Sequence, residues 1–195
     1  MRMAIDLMGG DNAPQALISG ISSAYDQFPS WEYFLVGTEN AVRHIDKLEL
    51  PFNYDIVTCG SVMGMDEDVR SLMAKKDCSI WMATELVKTG EADAVISAGS
   101  TAAQMAAASL LLGRIRGVSR PAIGSVIPTL AGGRLLLDIG ANADCDAELL
   151  LQFAQMGAVY SSIMLGAENP RIGLLSNGSE EHKGNKLLRE AYQLI

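Results

Sequence analysis

Apolar runs of strand length alternate with longer helical patterns along this chain of 195 residues. Most of the runs are continuously apolar, which is typical of strands that are covered on both faces. The predicted strands are Arg2–Met8, Glu32–Gly37, Tyr54–Thr58, Ala94–Ala98, Ile123–Ile127, Leu135–Ile139 and Arg171–Ser176. The predicted helices are Pro14–Phe28, Glu39–Lys47, Ser79–Thr89, Thr101–Arg116, Ala147–Leu165 and Glu180–Ile195. This alternation predicts an α/β fold, a three-layer α/β/α sandwich with a mostly parallel sheet.

Two segments depart from this alternation. Ile123–Ile127 and Leu135–Ile139 are close enough to pair through a turn at Pro128–Gly133, which predicts a hairpin inside the otherwise parallel sheet. Gly60–Lys76 mixes methionine, glycine and charge, and is predicted to be a surface loop with one helical turn. The length favours a single α/β domain over residues 1–195.

Composition excludes several classes of protein. Hydrophobic residues make up 49% of the chain, which indicates a packed core, and the net charge of −8 argues against nucleic-acid binding. The cysteines, Cys59, Cys78 and Cys145, are far apart and odd in number, so we expect free thiols and no metal site.

The uncharged stretch from Ala94 to Gly113 is broken by Gly99, and a strand, a turn and a helix explain it better than a membrane span does. We therefore expect a cytoplasmic protein.

Turns rich in glycine follow four of the predicted strands. They are Gly9-Gly10-Asp11-Asn12, Gly99-Ser100-Thr101, Gly140-Ala141-Asn142 and Asn177-Gly178-Ser179. In a parallel sheet all four would lie at one edge, where backbone amides can approach an anion. Gly99, Ser100 and Thr101 are the best phosphate-binding candidates because they open an uncharged helix. The alternative is that any strand-to-helix turn favours glycine and serine.

Asp6 and Asp138 each interrupt an apolar strand, where an unpaired carboxylate is costly. Each can either brace a neighbouring loop or contact a ligand directly, and the sequence favours neither. The residues predicted to shape the crevice are Asp6, Gly9, Gly10, Asp11, Asn12 and Asp138.

Two further groups of polar residues carry candidate chemistry. In Glu180–Asn185, Lys183 could neutralise a phosphate, whereas His182 is better explained by a solvated capping turn. Arg114, Arg116 and Arg120 are concentrated in RIRGVSRP. They are either a docking patch for an acidic partner or a solvated helix end, and the two interpretations are equally supported.

Five segments of the chain match a known pattern, in the same order. They are AIDLMGGDNAP, KKDCSIWMATELVKTGEADAVISAGSTAAQMA, RPAIGSVIPT, LLLDIGANADCDAELLLQFAQMGAVY and RIGLLSNGSEEHKGN. With these segments the chain resembles the bacterial PlsX family, the phosphate acyltransferases of phospholipid synthesis. The family's C-terminal portion has no counterpart here, so the single domain is expected to be truncated relative to the family.

The resemblance implies a fold similar to phosphotransacetylases and to isocitrate and isopropylmalate dehydrogenases. It implies a homodimer that converts acyl-acyl carrier protein and inorganic phosphate to acyl phosphate and free carrier protein, without a cofactor. It also implies a cytoplasmic enzyme with peripheral membrane association.

On this interpretation Gly99, Ser100, Thr101 and Lys183 hold phosphate, while Asn142 and Asn185 donate to the thioester carbonyl. The acidic carrier protein would dock on the arginine patch together with Lys75 and Lys76. Two alternatives stay open. One is an enzyme of the same fold, either a coenzyme A-dependent phosphate acetyl- or butyryltransferase or a dehydrogenase-like relative, and the other is a non-catalytic remnant that binds a partner.

Overall fold

The computed structural model describes residues 1–45, 48, 50–130, 132–178 and 183–195. These residues form two compact units, Met1–Gly113 and Arg114–Ile195. Each unit has its own sheet. A single domain over residues 1–195 stays a prediction.

The first unit is built on a parallel sheet. Its elements are β1 (Arg2–Asp6), α1 (Gln15–Tyr25), β2 (Glu32–Thr38), α2 (Glu39–Ile45), β3 (Tyr54–Cys59), α3 (Ser79–Thr89), β4 (Ala94–Ser97) and α4 (Thr101–Leu111). The strands are ordered β3-β2-β1-β4, and every neighbouring pair is parallel. The segment 60–76 contains one short 3-10 helix, Val69–Met73, as predicted. It is not only a surface loop, because Met63 and Leu72 are buried in a core cluster.

Helices cover both faces of this sheet. On one face Ile5 and Leu35 pack into a cluster that includes Ile18 of α1. On the other face Ala4 and Val36 pack with residues of α3, which approaches closely because these side chains are small. Side chains of consecutive strand residues point to opposite faces, so a continuously apolar run serves both layers. The α/β prediction, with a mostly parallel sheet between helical layers, is confirmed.

The second unit contains an antiparallel hairpin and two helices. Its elements are β5 (Gly124–Thr129), β6 (Gly132–Leu137), α5 (Ala147–Leu165) and α6 (Lys186–Leu194). The hairpin prediction is confirmed, with Gly124 opposite Leu137 and Thr129 opposite Gly132. Two details are corrected. The hairpin is a two-stranded sheet of its own rather than part of the parallel sheet. Its turn is also shorter than Pro128–Gly133, because the strand pairing continues through both of those residues.

Several predicted boundaries change. Arg171–Ser176 is not a strand, and it pairs with no described strand. Helix α4 ends at Leu111 rather than Arg116, two residues before Gly113, which has a φ of +80°. Helix α6 begins at Lys186, while the predicted start at Glu180 lies outside the described residues.

Other boundaries are close to those predicted. Helices α3 and α5 have the predicted bounds, and each is followed by a glycine in the left-handed conformation. The stretch 94–113 is a strand, a turn and a helix, as predicted. Within the described parts of the chain, no helix is both long and apolar enough to cross a bilayer.

Candidate functional site

Two of the four predicted glycine turns lie side by side in the first unit. Strands β1 and β4 are neighbours, with Asp6 opposite Ser97, so the turns that follow them meet at one edge of the sheet. A Cβ atom added to Gly9 would lie only 2.6 Å from the amide nitrogen of Gly99. Glycine is therefore required at position 9 for this approach.

A chain of hydrogen bonds joins these two turns through the buried Asp6 carboxylate. Its Oδ1 atom accepts a hydrogen bond of 3.1 Å from the Met8 amide, and Oδ2 accepts one of 2.6 Å from the Ser97 hydroxyl. The Ser97 hydroxyl oxygen in turn accepts a bond of 3.1 Å from the Gly99 amide. The Asp6 carboxylate thus has one hydrogen-bond partner on each oxygen, as a buried charge needs partners.

The start of α4 presents the free amides of this edge. The Ser100 side chain caps the helix by accepting a hydrogen bond of 3.4 Å from the Ala103 amide. The amides of Thr101 and Ala102 donate to no described residue, as expected in the first turn of a helix. Since the Gly99 amide is already bonded, Thr101 and Ala102 offer the backbone donors for an anion.

The neighbouring residues Asp11 and Asn12 are exposed, and their side chains bond to no described residue. Gly10 has a φ of +95°, and a Cβ atom there would lie 3.0 Å from the Ala98 carbonyl oxygen. The role of Asp11 and Asn12 in shaping a crevice stays a prediction.

In the second unit Asp138 organises the Gly140 turn. Its carboxylate accepts hydrogen bonds from the amides of Ile123, Ala141 and Asn142, at 2.8–3.1 Å, and from the Asn142 side chain at 2.9 Å. Burial raises the pKa of this carboxyl, but the four hydrogen bonds outweigh burial, and the net pKa lies below the ordinary value of 3.8.

Asn142 uses both hydrogens of its side-chain amide within this loop. The nitrogen donates to Asp138 Oδ2 and to the Pro121 carbonyl oxygen, each at 2.9 Å. A substrate carbonyl would therefore have to replace Pro121 as acceptor. The predicted donation from Asn142 to substrate stays a prediction.

The Asn185 side chain has a hydrogen-bond partner at its oxygen atom but none among the described residues at its nitrogen atom. Its Oδ1 atom caps α6 by accepting a hydrogen bond of 2.9 Å from the Leu188 amide. Its amide nitrogen donates to no described residue, and the side chain is exposed. Asn185 can therefore cap the helix and still donate to a ligand.

Lys183 is exposed and lines a cavity of about 560 Å³ together with Arg189. Nearby, Asn177 Oδ1 accepts a hydrogen bond of 3.1 Å from the Gly184 amide. Glu180, Glu181 and His182, which the sequence placed in a capping turn, lie outside the described residues, as does Ser179. That all four turns form one crevice stays a prediction.

The predicted docking arginines are exposed. Arg114 donates to the Ser119 carbonyl oxygen, and Arg120 donates to the Asp144 carbonyl oxygen at 3.2 Å. These bonds use part of each guanidinium and leave the positive charge at the surface.

The two lysines added to this patch have partners in the first unit. Lys75 forms an ion pair of 2.7 Å with Glu67, and Lys76 lies 5.7 Å from the centre of the Trp81 ring. The ion pair offsets the charge of Lys75, whereas the ring contact leaves the charge of Lys76 in place.

The cysteines carry no sign of nucleophilic chemistry. Burial raises the pKa of Cys59 to about 11, and burial also raises the pKa of Cys78 and Cys145. These shifts favour the thiol over the reactive thiolate. Within the described ranges, no group of histidine, cysteine, aspartate and glutamate is arranged to hold a metal ion.

Sequence reasoning missed Ser79, Ser97 and Arg189 as site residues. Ser97 could have been found from strand register, because Ser97 ends β4 and lies opposite Asp6, which ends the parallel neighbour β1. Arg189 lies six residues after Lys183, lines the same cavity and donates to the Gly184 carbonyl oxygen at 2.8 Å. No local pattern singles out Ser79.

Comparisons with known proteins agree with the resemblance seen in the sequence. A family model described as "Fatty acid synthesis protein" matches residues 1–195. The phosphate acyltransferase of Desulfitobacterium hafniense is 49% identical over 197 residues, covering 100% of this chain and 59% of the relative. The phosphate acyltransferase of Heliobacterium modesticaldum is 47% identical over 199 residues, with 100% and 59% covered. That of Caldanaerobacter subterraneus is 43% identical over 199 residues, with 100% and 58% covered. The chain thus spans less than two thirds of these relatives.

Proposed function

The chain belongs to the fatty acid synthesis protein family, and on that premise we propose that it acts as a phosphate acyltransferase. The proposed reaction converts acyl-acyl carrier protein and inorganic phosphate to acyl phosphate and free carrier protein, in phospholipid synthesis. The observation that carries this proposal is the 49% identity to a phosphate acyltransferase over the whole of this chain. We further propose that the enzyme is a cytoplasmic homodimer with peripheral membrane association.

In the proposed mechanism a phosphate oxygen attacks the thioester carbon, and the carbon–sulfur bond then breaks to release the carrier thiol. Phosphate is already anionic at neutral pH and needs positioning more than activation. A thiol leaves readily because its pKa is about 8.5. The protein therefore has to hold phosphate and to stabilise the oxyanion that develops on the carbonyl oxygen. This chemistry needs no cofactor.

We assign phosphate to the loop Gly99, Ser100 and Thr101, with Lys183 as the neutralising cation. The free amide of Thr101 at the start of α4 supports the loop assignment. The cation assignment is supported by the exposure of Lys183 and by its position in the wall of a cavity that Arg189 also lines. Arg189 lines the same cavity, so the positive charge there is larger than that of Lys183 alone.

Oxyanion stabilisation is proposed for Asn185 and Asn142. Asn185 has an amide nitrogen without a described partner, so it can donate without losing its capping bond. Asn142 can donate by exchanging the Pro121 carbonyl oxygen for the thioester carbonyl oxygen. Asp138 holds the Asn142 side chain in place for that exchange.

A comparison of two lysines tests the phosphate assignment. The enzyme to assay is a chimera of this chain with the remaining part of the Desulfitobacterium hafniense relative. Lys183→Ala should lower kcat/KM for phosphate by about 100-fold, because a charge on the reacting anion is left uncompensated. Lys186→Ala, a nearby lysine whose side chain is 85% exposed, should change it less than about twofold.

The same assay separates the competing functions. Equal rates for the two lysine variants would contradict the assignment of Lys183. A preference for acyl-coenzyme A over acyl-acyl carrier protein would favour the coenzyme A-dependent alternative. Absence of acyl phosphate with either carrier would favour a non-catalytic remnant.

Acyl carrier proteins are acidic, so a chain of net charge −8 needs a local basic surface to bind one. We assign that surface to Arg114, Arg116 and Arg120. Reversing all three to glutamate should raise KM for the carrier protein about tenfold at low salt, mainly through a slower association rate. KM for phosphate should stay constant. An unchanged KM for the carrier protein at low salt would exclude this docking surface.

A further inference from the structure

A small polar cavity lies between the sheet edge and the starts of α3 and α4 in the first unit. Its polar side chains are Asp6, Ser79, Ser97 and Ser100, and its volume is about 10 Å³, room for one oxygen-sized group. We propose that this cavity receives the protonated oxygen of a hydrogen phosphate ion and selects such ions over sulfate. The proposal rests on the proposed function, because it specifies how the Gly99–Thr101 site recognises phosphate.

The first observation is a hydroxyl group that lines the cavity and has no hydrogen-bond partner among the described residues. Ser79 is 1% exposed and lines the cavity. Its amide donates to the Ser61 carbonyl oxygen, but its hydroxyl bonds to no described residue. Thr84, on the same helix and equally buried, bonds to the Ile80 carbonyl oxygen at 2.7 Å. Because the Ser79 side chain lines the cavity and its hydroxyl has no described partner, it is available to a group that enters the cavity.

The second observation is that two helices begin at this cavity. Ser79 is the first residue of α3, and Ser100 caps α4, so the positive ends of both helix dipoles face the same space. Each helix has 11 residues, and the first-turn amides of α4 are free. These two helix starts favour an anion even though a carboxylate lies in the wall.

The third observation is that Asp6 still has acceptor capacity. Each oxygen of its carboxylate accepts one hydrogen bond, from Met8 and from Ser97, and an ionised carboxylate offers about four acceptor sites. A carboxylate repels an oxygen that carries only negative charge but binds an oxygen that carries a proton. The cavity wall therefore suits an anion with one O–H group.

This arrangement distinguishes ions of nearly the same size and shape. Hydrogen phosphate carries an O–H group at neutral pH, and so does hydrogen arsenate, whereas sulfate carries none. The phosphate O–H donates to Asp6, and the Ser79 hydroxyl donates to the same oxygen. Sulfate would place an unprotonated oxygen against the carboxylate. Leaving a buried acceptor facing a second acceptor is costly, so we expect sulfate to bind more weakly.

The test uses the 195-residue chain and three probe ions, namely phosphate, arsenate and sulfate at matched ionic strength. Binding is followed through the NMR signals of the Thr101 and Ala102 amides. We expect similar affinities for phosphate and arsenate, and an affinity for sulfate that is at least about tenfold lower. Ser79→Ala should weaken phosphate binding about tenfold. Ser22→Ala is the matched control, because that hydroxyl bonds to the Ile18 carbonyl oxygen on α1, and it should change nothing.

Asp6→Asn tests the source of the selectivity. Asparagine can donate to an unprotonated oxygen, so phosphate and sulfate should bind to this variant with about equal affinity. Tryptophan fluorescence, which comes from Trp31 and Trp81 of the first unit, reports whether each variant is folded. Where Asp6→Asn does not fold, Ser79→Ala and the ion series still decide the question.

Three results would overturn the proposal. They are equal affinities for phosphate and sulfate, an unchanged phosphate affinity in folded Ser79→Ala, and no response of the α4 amides to any of the ions. The second result would mean that the cavity holds only a water molecule. Acyl transfer by the chimera is measured separately, so the proposed function can survive the loss of this subsite.

Discussion

The two units differ in what covers their apolar residues. In the first unit the central strands are buried on both faces, and Leu35 and Val36 are 0% exposed. In the second unit every residue of β5 is exposed, and Ile163 near the end of α5 is 74% exposed. The first unit leaves a polar cavity of about 10 Å³, whereas one in the second unit measures about 470 Å³. The comparison shows that apolar residues in a strand or helix pattern are buried only where other residues of the structure pack over them.

The largest difference should come from truncating one apolar side chain in each unit. Leu35→Ala should lower the free energy of unfolding by about 3 kcal/mol, because it removes a fully buried side chain and leaves a cavity. Ile163→Ala should lower it by less than about 0.5 kcal/mol, because that side chain buries little apolar surface. Urea unfolding followed by far-UV circular dichroism measures both.

Tryptophan fluorescence shows whether the loss of stability in Leu35→Ala occurs in the first unit. Trp31 and Trp81 are the two tryptophans of the chain, and both belong to the first unit. Leu35→Ala should therefore shift the fluorescence transition. A loss of 2 kcal/mol or more for Ile163→Ala would contradict the comparison, since it would show that Ile163 has a partner beyond the described residues.

Most of the first unit follows from the sequence because its elements are locally determined. Helix α3 begins and ends where predicted, since Gly90 can adopt the left-handed conformation that ends a helix. The predicted strand Arg171–Ser176 fails for the opposite reason. Its apolar residues fit a strand, but a strand needs a hydrogen-bonded neighbour, and none of the described residues provides one.

The candidate site was predictable in part. Asp6 and Asp138 stand out in the sequence because a carboxylate inside an apolar strand needs partners. Their partners do not stand out, because Ser97 reaches Asp6 through the pairing of β1 with β4, and Ile123 reaches Asp138 just beyond the paired ends of β5 and β6. Ser79 could not be found from sequence, since lining a cavity without a described hydrogen-bond partner is a property of the folded chain alone.

A smaller effect is expected from the carboxylate that organises the second unit. Its hydrogen bonds hold the pKa of Asp138 below 3.8, so its contribution to stability is present above about pH 4. That contribution is lost as pH falls through the lowered pKa of the folded state. Asp138→Asn should cost about 2 kcal/mol at neutral pH, because an amide cannot accept all four hydrogen bonds.

Amide hydrogen exchange at Ala141 and Asn142 measures this effect, because both amides donate to Asp138. Protection should decrease below pH 4 in the parent chain and should be low at every pH in Asp138→Asn. Asp144→Asn is the control, since Asp144 is an exposed carboxylate of the same unit. If protection in the parent chain did not change between pH 5 and the lowest pH at which the chain is folded, the role given to Asp138 would be wrong.

The smallest effects should come from the caps of one helix in each unit. Asn185→Ala removes a capping bond of 2.9 Å at α6 and should cost about 1 kcal/mol. Ser100→Ala removes a bond of 3.4 Å at α4, a length at which hydrogen bonds are weak, and should cost about 0.5 kcal/mol. Hydrogen exchange in the first turn of each helix gives the two values. Asn185→Asp keeps the capping oxygen and removes the amide donor, so it should leave α6 stable while lowering acyl transfer in the chimera. A cost for Ser100→Ala that exceeds the cost for Asn185→Ala would reverse this order and would show that the Ser100 hydroxyl does more in the first unit than cap its helix.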